Sequence, residues 1–167
     1  YLYDAFGNRT ETISTVAGVL LRSFSTTHYE NRTDPWLIGL PRWTTFEQFD
    51  GDDVPPEPRK TEYEYDALGQ RTRTIVEPDH PELSTSTELV LNGDGLVESM
   101  ITTTVDGVRS THFAYDEDEG MFIRAAWNDL GHTQQAVHQP ALGLPVVTQD
   151  ANGRESHLQY DRFGRLR

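Results

Sequence analysis

One phrase recurs along the chain and constrains the fold more than any other feature. Tyr3-Asp4-Ala5-Phe6-Gly7-Asn8-Arg9-Thr10 returns as Tyr65-Asp66-Ala67-Leu68-Gly69-Gln70-Arg71-Thr72, and again as Tyr160-Asp161-Arg162-Phe163-Gly164-Arg165-Leu166. A chain that repeats its turn signal is built as an array of similar units. Weaker copies lie between. Tyr115-Asp116 closes one strand-like run; Trp127-Asn128-Asp129-Leu130-Gly131-His132-Thr133 keeps the frame with Trp for Tyr and Asn for Asp; Gln149-Asp150-Ala151-Asn152-Gly153-Arg154 keeps Asp and Gly. The intervals match a beat of strand, turn, strand.

The phrase has a mechanism. An Asp or Asn side chain accepts a hydrogen bond from backbone two residues on and starts a turn. The Gly three positions later takes the positive φ that other residues resist. The Tyr sits on the last strand position and covers the turn with its ring. Tyr3, Asp4, Gly7, Tyr65, Asp66, Gly69, Asn128, Gly131, Asp150, Gly153, Tyr160, Asp161 and Gly164 are therefore read as structural turn residues, with no catalytic role.

Around these turns the chain reads as all-β. Thr10 to Phe24 alternates loosely, with a break at Ala17-Gly18 and with Ile13, Val16, Val19, Leu21 and Phe24 as candidate buried residues. Thr26 to Pro35 is a strand followed by a connection. Trp36 to Phe49 is the most apolar stretch, with an edge or bend expected at Pro41. Loops fall near 50–60 and 77–86, where acids and prolines cluster. Thr87 to Leu91 and Leu96 to Val105 flank an Asn92-Gly93-Asp94-Gly95 turn. Asp106-Gly107 reads as a two-residue mirror-image turn into Val108 to Tyr115. Met121 to Trp127, His132 to Gln139, Val146 to Gln149 and Glu155 to Tyr160 complete the series. No stretch has helical spacing; Thr, Val, Tyr and Ser stand where helix formers would.

At Tyr65 to Thr72 and Tyr160 to Leu166 the chain resembles the RHS or YD-repeat family, with its Tyr-Asp-x-x-Gly-Arg repeat. Trp36-Leu37-Ile38-Gly39-Leu40-Pro41-Arg42 and Pro140-Ala141-Leu142-Gly143-Leu144-Pro145-Val146-Val147-Thr148-Gln149-Asp150 also resemble segments of the shell-forming B components of bacterial toxin complexes and their Rhs relatives. The likeness runs from Tyr3 to Leu166, with the acidic loops unmatched. It implies antiparallel β-hairpin repeats forming a curved, spiralling sheet that closes into a hollow shell. It also implies a bacterial protein, secreted or at the cell surface, whose partners are neighbouring repeats of the same polypeptide and an enclosed toxin or effector domain. Relatives end their core in a self-cleaving aspartyl-protease site. No segment here matches it, so none of its aspartates is carried over. Lacking an initiator Met and with both ends on the repeat phrase, residues 1–167 read as a single segment excerpted from a larger protein.

Composition fits that expectation. Hydrophobic residues make up 35%, low for a sheet buried on two faces and suited to one with a wet face. The formal charge of −13 argues against nucleic acid and against anionic membrane surfaces. With no apolar run near the length of a membrane helix, no membrane insertion by this segment is expected. No cysteine is present, which removes disulfides and thiolate zinc sites.

Asn92-Gly93-Asp94-Gly95 looks like the middle of an EF-hand loop, but Val90 and Ile101 then occupy the first and last ligand positions, so calcium is not expected. Asp50, Asp52 and Asp53, or Asp116 to Glu119, are weighed as loose cation holders against solvated turns. His28, His80, His112, His132, His138 and His157 show no close metal-ligand pair; His112, His132 and His157 are placed on strands. No cofactor and no metal is expected. Asn8-Arg9-Thr10 and Asn31-Arg32-Thr33 match the glycosylation sequon, taken as chance in a bacterial protein. Arg accounts for all basic residues but Lys60, and Arg9, Arg71, Arg154 and Arg165 are expected to bridge neighbouring repeats.

The resulting expectation is a non-enzymatic wall segment of an RHS-repeat shell that encapsulates and helps deliver a toxin or effector. One alternative is an adhesin-like module that binds carbohydrate or protein through Trp36, Trp43 and Trp127. A third is a glycoside hydrolase fragment, which needs two carboxylates at fixed separation across a cleft.

Overall fold

A computed structural model describes residues 1–15, 21–50 and 57–167. It is all-β. Among the described residues there is no helix. Among the described residues there are thirteen strands in chain order, and each registered pair joins consecutive strands antiparallel. They are β1 (Leu2–Tyr3), β2 (Arg9–Thr15), β3 (Leu21–Thr33), β4 (Trp36–Asp50), β5 (Arg59–Tyr65), β6 (Arg71–Val76), β7 (Thr85–Leu91), β8 (Val97–Thr104), β9 (Gly107–Tyr115), β10 (Ile123–Asn128), β11 (Thr133–Gln139), β12 (Leu144–Gln149) and β13 (Glu155–His157).

Contacts divide the chain into two compact units. The first is Tyr1–Glu88 with Thr103–Gly107; the second is Leu89–Thr102 with Val108–Arg167. In the first, β3 and β4 make the longest hairpin, paired from Leu21↔Asp50 to Thr33↔Trp36. The register slips once at Tyr29↔Pro41, leaving Arg42 unpaired, and again between Glu30 and Arg32. Pro41 has no N–H for a ladder and sits at a bulge, the place a strand interior tolerates it. In the second unit β11 and β12 repeat this device: His138 pairs with Pro145, and Val146 is the residue passed over.

Among the described residues neither unit has a conventional core. Among the described residues no hydrophobic side chain is buried; Glu77 and Ser99 are the buried side chains. Ile13, expected to be buried, is 63% exposed, because it lies on a sheet face that no described residue covers. Phe24 is half-buried. The break at Ala17-Gly18 and the expectations for Val16 and Val19 lie outside the described residues, as does most of the 50–60 loop.

Several boundaries differ from expectation by a residue or two, and two differences change the reading of a turn or a strand. The tight turn before β9 is Val105-Asp106, one residue early, and Gly107 opens the strand with φ 134°. A mirror-image turn at Asp106-Gly107 needs Asp106 at positive φ; only Gly107 takes that conformation here. The last expected strand is cut to Glu155–His157, after which Tyr160 and Leu166 form an isolated bridge.

Candidate functional site

The feature that recurs in three dimensions is the turn and its clasp. In the first copy the Asp4 Oδ1 accepts the N–H of Phe6 and of Asn8, both at 2.9 Å. The Gly7 N–H bonds back to the Asp4 carbonyl, and Gly7 takes φ 84°. Asp66 accepts from Leu68 and Gln70, Asn128 from Leu130 and His132, Asp150 from Asn152 and Arg154, and Asp161 from Phe163 and Arg165. Gly69, Gly131, Gly153 and Gly164 occupy the Gly7 position, with φ between 76° and 83°. Asn92, read from the sequence as a turn but not as a copy of the recurring phrase, is a sixth copy, accepting from Asp94 and Leu96. The Asn-x-x-Gly spacing was the available signal. Asp116 closes a longer turn, accepting from Glu119, Met121 and Phe122.

Five copies pair the residue before Asx with the residue six positions on: Tyr3↔Arg9, Tyr65↔Arg71, Trp127↔Thr133, Gln149↔Glu155 and Tyr160↔Leu166. The copies then divide. After Tyr3 and Tyr65 the ladder bulges, passing over Thr10 and Thr72. After Trp127 and Gln149 it runs on without a bulge.

Three turns are tied down by the tyrosine that precedes the Asx residue. The Tyr65 hydroxyl donates to the Pro41 carbonyl at 3.0 Å, and the Tyr160 hydroxyl to the Pro145 carbonyl at 2.8 Å. Tyr115, before Asp116, donates to the Val97 carbonyl at 2.8 Å. Each ties its turn to the preceding strand. Burial raises the Tyr65 phenol above its ordinary range, moving it further from ionisation.

In the first unit the tip of the β3–β4 hairpin is held by both Tyr-bearing turns. Asn31, at the bulge, accepts from the Gly39 N–H at 2.9 Å and from Asn8 Nδ2 at 3.1 Å, and donates to Asp4 Oδ2 at 3.1 Å. Phe6 meets Trp36 edge-on, centroids 6.4 Å apart. On the other side Arg32 donates to the Asp66 carbonyl, and Leu37 lies 3.2 Å from where a Gly69 Cβ would stand. In the second unit, Phe122 stacks on His138 at 5.3 Å and contacts the Gly143 position, and Leu144 lies 3.3 Å from a Gly164 Cβ. The two Gly-Leu-Pro phrases therefore mark two hairpins gripped in similar ways.

The electrostatics follow. Burial raises the Asp4 carboxyl, but the Asn8 and Asn31 amides and backbone N–H groups outweigh it and hold it below the usual range. At Asp116 burial is likewise outweighed, by the N–H groups of Glu119, Phe122, Met121 and Gly120. The Arg165 N–H and guanidinium lower Asp161. An acceptor spent on backbone donors is poorly placed for proton transfer or for a cation. Among the described residues no group of three His, Cys, Asp or Glu side chains is arranged to hold a metal.

The expected arginine ladder takes another form. Arg9 lies over the Tyr1 ring and Arg71 over the Tyr63 ring, each inside its own hairpin, and Arg165 pairs with Asp161 of its own turn at 2.7 Å. Bonds between neighbouring elements come from tyrosine hydroxyls, Asn31 and Arg32, and from other basic residues, Arg42 to the Tyr63 carbonyl and Arg73 to the Ser86 hydroxyl. His28 stacks on Trp43 and His112 on Trp127, each its direct cross-strand partner. His132 stands at the end of a turn, short of β11. Trp36 is 71% exposed and Trp127 37%. Both sequon asparagines are engaged, since Asn8 and Asn31 bond each other and Asp4.

No protein-family model matches the chain, and no curated protein sequence matches it.

Proposed function

We propose that this chain is a wall segment of an RHS/YD-repeat β-shell that encloses a toxin or effector domain, and that its work is mechanical. The single observation that carries the reading is the repeated Asx turn whose carboxylate or amide is consumed by backbone donors. A residue used this way is scaffold. Two further features support it. The sheet buries no hydrophobic side chain among the described residues, so its apolar faces await cover from more polypeptide. The Gly-Leu-Pro hairpins sit between turns, a device that repeats as array proteins do. In this reading the polypeptide is bacterial and secreted or surface-displayed, and the sheet curves on into a spiral.

The test is protection of the cargo. The polypeptide carrying this segment is purified, imaged by electron microscopy and treated with protease. A hollow particle whose downstream domain resists digestion is expected. A solid or extended particle, with that domain digested at the rate of the free domain, overturns the reading.

One observation favours a surface-binding module instead: Trp36 is largely exposed at a hairpin tip. Titrating glycans while following Trp emission separates the readings, since the wall reading expects no saturable change.

A further inference from the structure

The sequence holds two Asn-Gly pairs, Asn92-Gly93 and Asn152-Gly153, and the repeated turn uses them differently. Asn92 is the Asx residue of its turn. Its Oδ1 is held by the N–H groups of Asp94 and Leu96 at 3.0 and 2.9 Å. Asn152 stands further along, at the apex of the Asp150 turn. Its N–H goes to Asp150 Oδ1 at 2.9 Å. The residue is exposed, and among the described residues its carboxamide has no hydrogen-bond partner.

An Asn-Gly pair carries its own reaction. The glycine nitrogen attacks the Asn Cγ, a C–N bond forms, and the side-chain nitrogen leaves as ammonia, closing a five-membered imide. Water then adds at either imide carbonyl and opens the ring. One opening gives aspartate on the ordinary backbone. The other gives isoaspartate, whose main chain runs through Cβ and Cγ and is one atom longer. Glycine favours closure because it has no Cβ to hinder the approach. The carboxamide must be free to turn its carbon toward that nitrogen, which the two donors on Asn92 oppose. At the other pair the Gly153 N–H donates to the Asp150 carbonyl at 2.9 Å, so closure waits for the turn to open. β13, on its far side, is exposed and three residues long, so that opening costs little. Asn92 stands between strands of seven and eight residues.

We propose that Asn152 is a site of spontaneous backbone modification, and that Asn92, in the same dipeptide, is protected by its own turn. In isoaspartate the extra atom falls inside the loop that Asp150 Oδ1 spans, between its donors Asn152 and Arg154. Modification therefore withdraws the Arg154 N–H from that oxygen. The β12–β13 ladder, from Gln149↔Glu155 to Val147↔His157, then starts from a broken turn. The proposal holds whether or not the chain lines a shell.

The test is incubation of the full chain at mildly alkaline pH, with digestion and tandem mass spectrometry at intervals. An isoaspartyl methyltransferase measures the isoaspartate formed. Asn152 should convert several-fold faster than Asn92 in the folded chain. The two rates should converge in denaturant, where only the shared dipeptide remains. Hydrogen exchange at the Arg154 N–H should quicken as the chain ages. It should stay slow in aged Asn152→Gln, whose longer side chain does not close the five-membered ring. Equal conversion of the two asparagines in the folded chain overturns the proposal. So does a preference for Asn152 that persists unchanged in denaturant, or Arg154 exchange unaffected by conversion.

Discussion

Tyr65 donates its hydroxyl hydrogen to the carbonyl of Pro41, 24 positions earlier in the chain, at 3.0 Å. That carbonyl belongs to a residue that breaks the strand ladder, and the bond fastens a turn onto a bulge. Tyr160 and Pro145 stand in the same relation. Removing the hydroxyl with Tyr65→Phe or Tyr160→Phe keeps the ring and strands the carbonyl. Each change should destabilise by about 1 kcal/mol, read from the urea midpoint at unchanged slope. Tyr63→Phe, whose ring lies under Arg71, serves as the control and should change little. Equal effects at the three positions would remove the clasp from the account.

Asp66 works through Oδ1 as an acceptor of two N–H bonds, and Asn128 fills the same role with an amide. Asp66→Asn should therefore be near neutral, while Asp66→Ala should cost roughly 1–2 kcal/mol in thermal or chemical unfolding. A catalytic carboxylate would behave differently, since the amide would abolish its chemistry as thoroughly as the methyl.

Two glycines test conformation against space. Gly69 and Gly131 share nearly the same positive φ, but Gly69 faces Leu37 at 3.2 Å whereas nothing lies within 4 Å of a Gly131 Cβ. Both alanine variants should lose about 1–2 kcal/mol to the left-handed backbone. Gly69→Ala should lose more, and Leu37→Ala in the same chain should recover part of the difference. Identical losses at the two positions would show that Leu37 gives way freely.

Acid should loosen the turns in a defined direction. Asp4, Asp116 and Asp161 are all held below the ordinary carboxylate range. A carboxyl lowered on folding contributes stability that is complete above its unfolded value, near pH 4, and drains away as pH falls through the folded value. Stability should therefore hold from neutral pH down to about pH 5 and decline below about pH 4. Asp161→Asn should flatten that decline, because the amide keeps the Oδ1 acceptor and has no proton to gain. A decline of unchanged steepness in this variant would place the acid sensitivity elsewhere.

Asn31 joins three elements through its amide. Asn31→Ala frees the Gly39 N–H and removes bonds to Asp4 and Asn8. A loss of about 2 kcal/mol is expected, with faster hydrogen exchange at Gly39 and little change at Gly143 in the other hairpin.

The turns were legible because they are local. An Asx oxygen, two N–H groups and a glycine at positive φ lie within five residues, so Asp4 to Asn8 specifies its bend whatever surrounds it. The all-β class followed for the same reason, from alternation between such bends. What each turn touches was beyond reach. Tyr160 and Gln149 precede similar phrases, yet one reaches Pro145 while the other enters a plain ladder. Arg9 and Arg71 were expected to reach outward and instead fold back on rings of their own hairpins, since strand pairing puts Tyr1 and Tyr63 diagonally beside them. Ile13 was expected to be buried, but alternation says only which face a residue takes; what covers that face belongs to distant chain. Sequence alone determined where the chain bends, because bending is settled by neighbours in order. Tertiary structure decided which bends become clasps, because a hydroxyl and a carbonyl 24 positions apart meet only once register and bulge have brought their strands together.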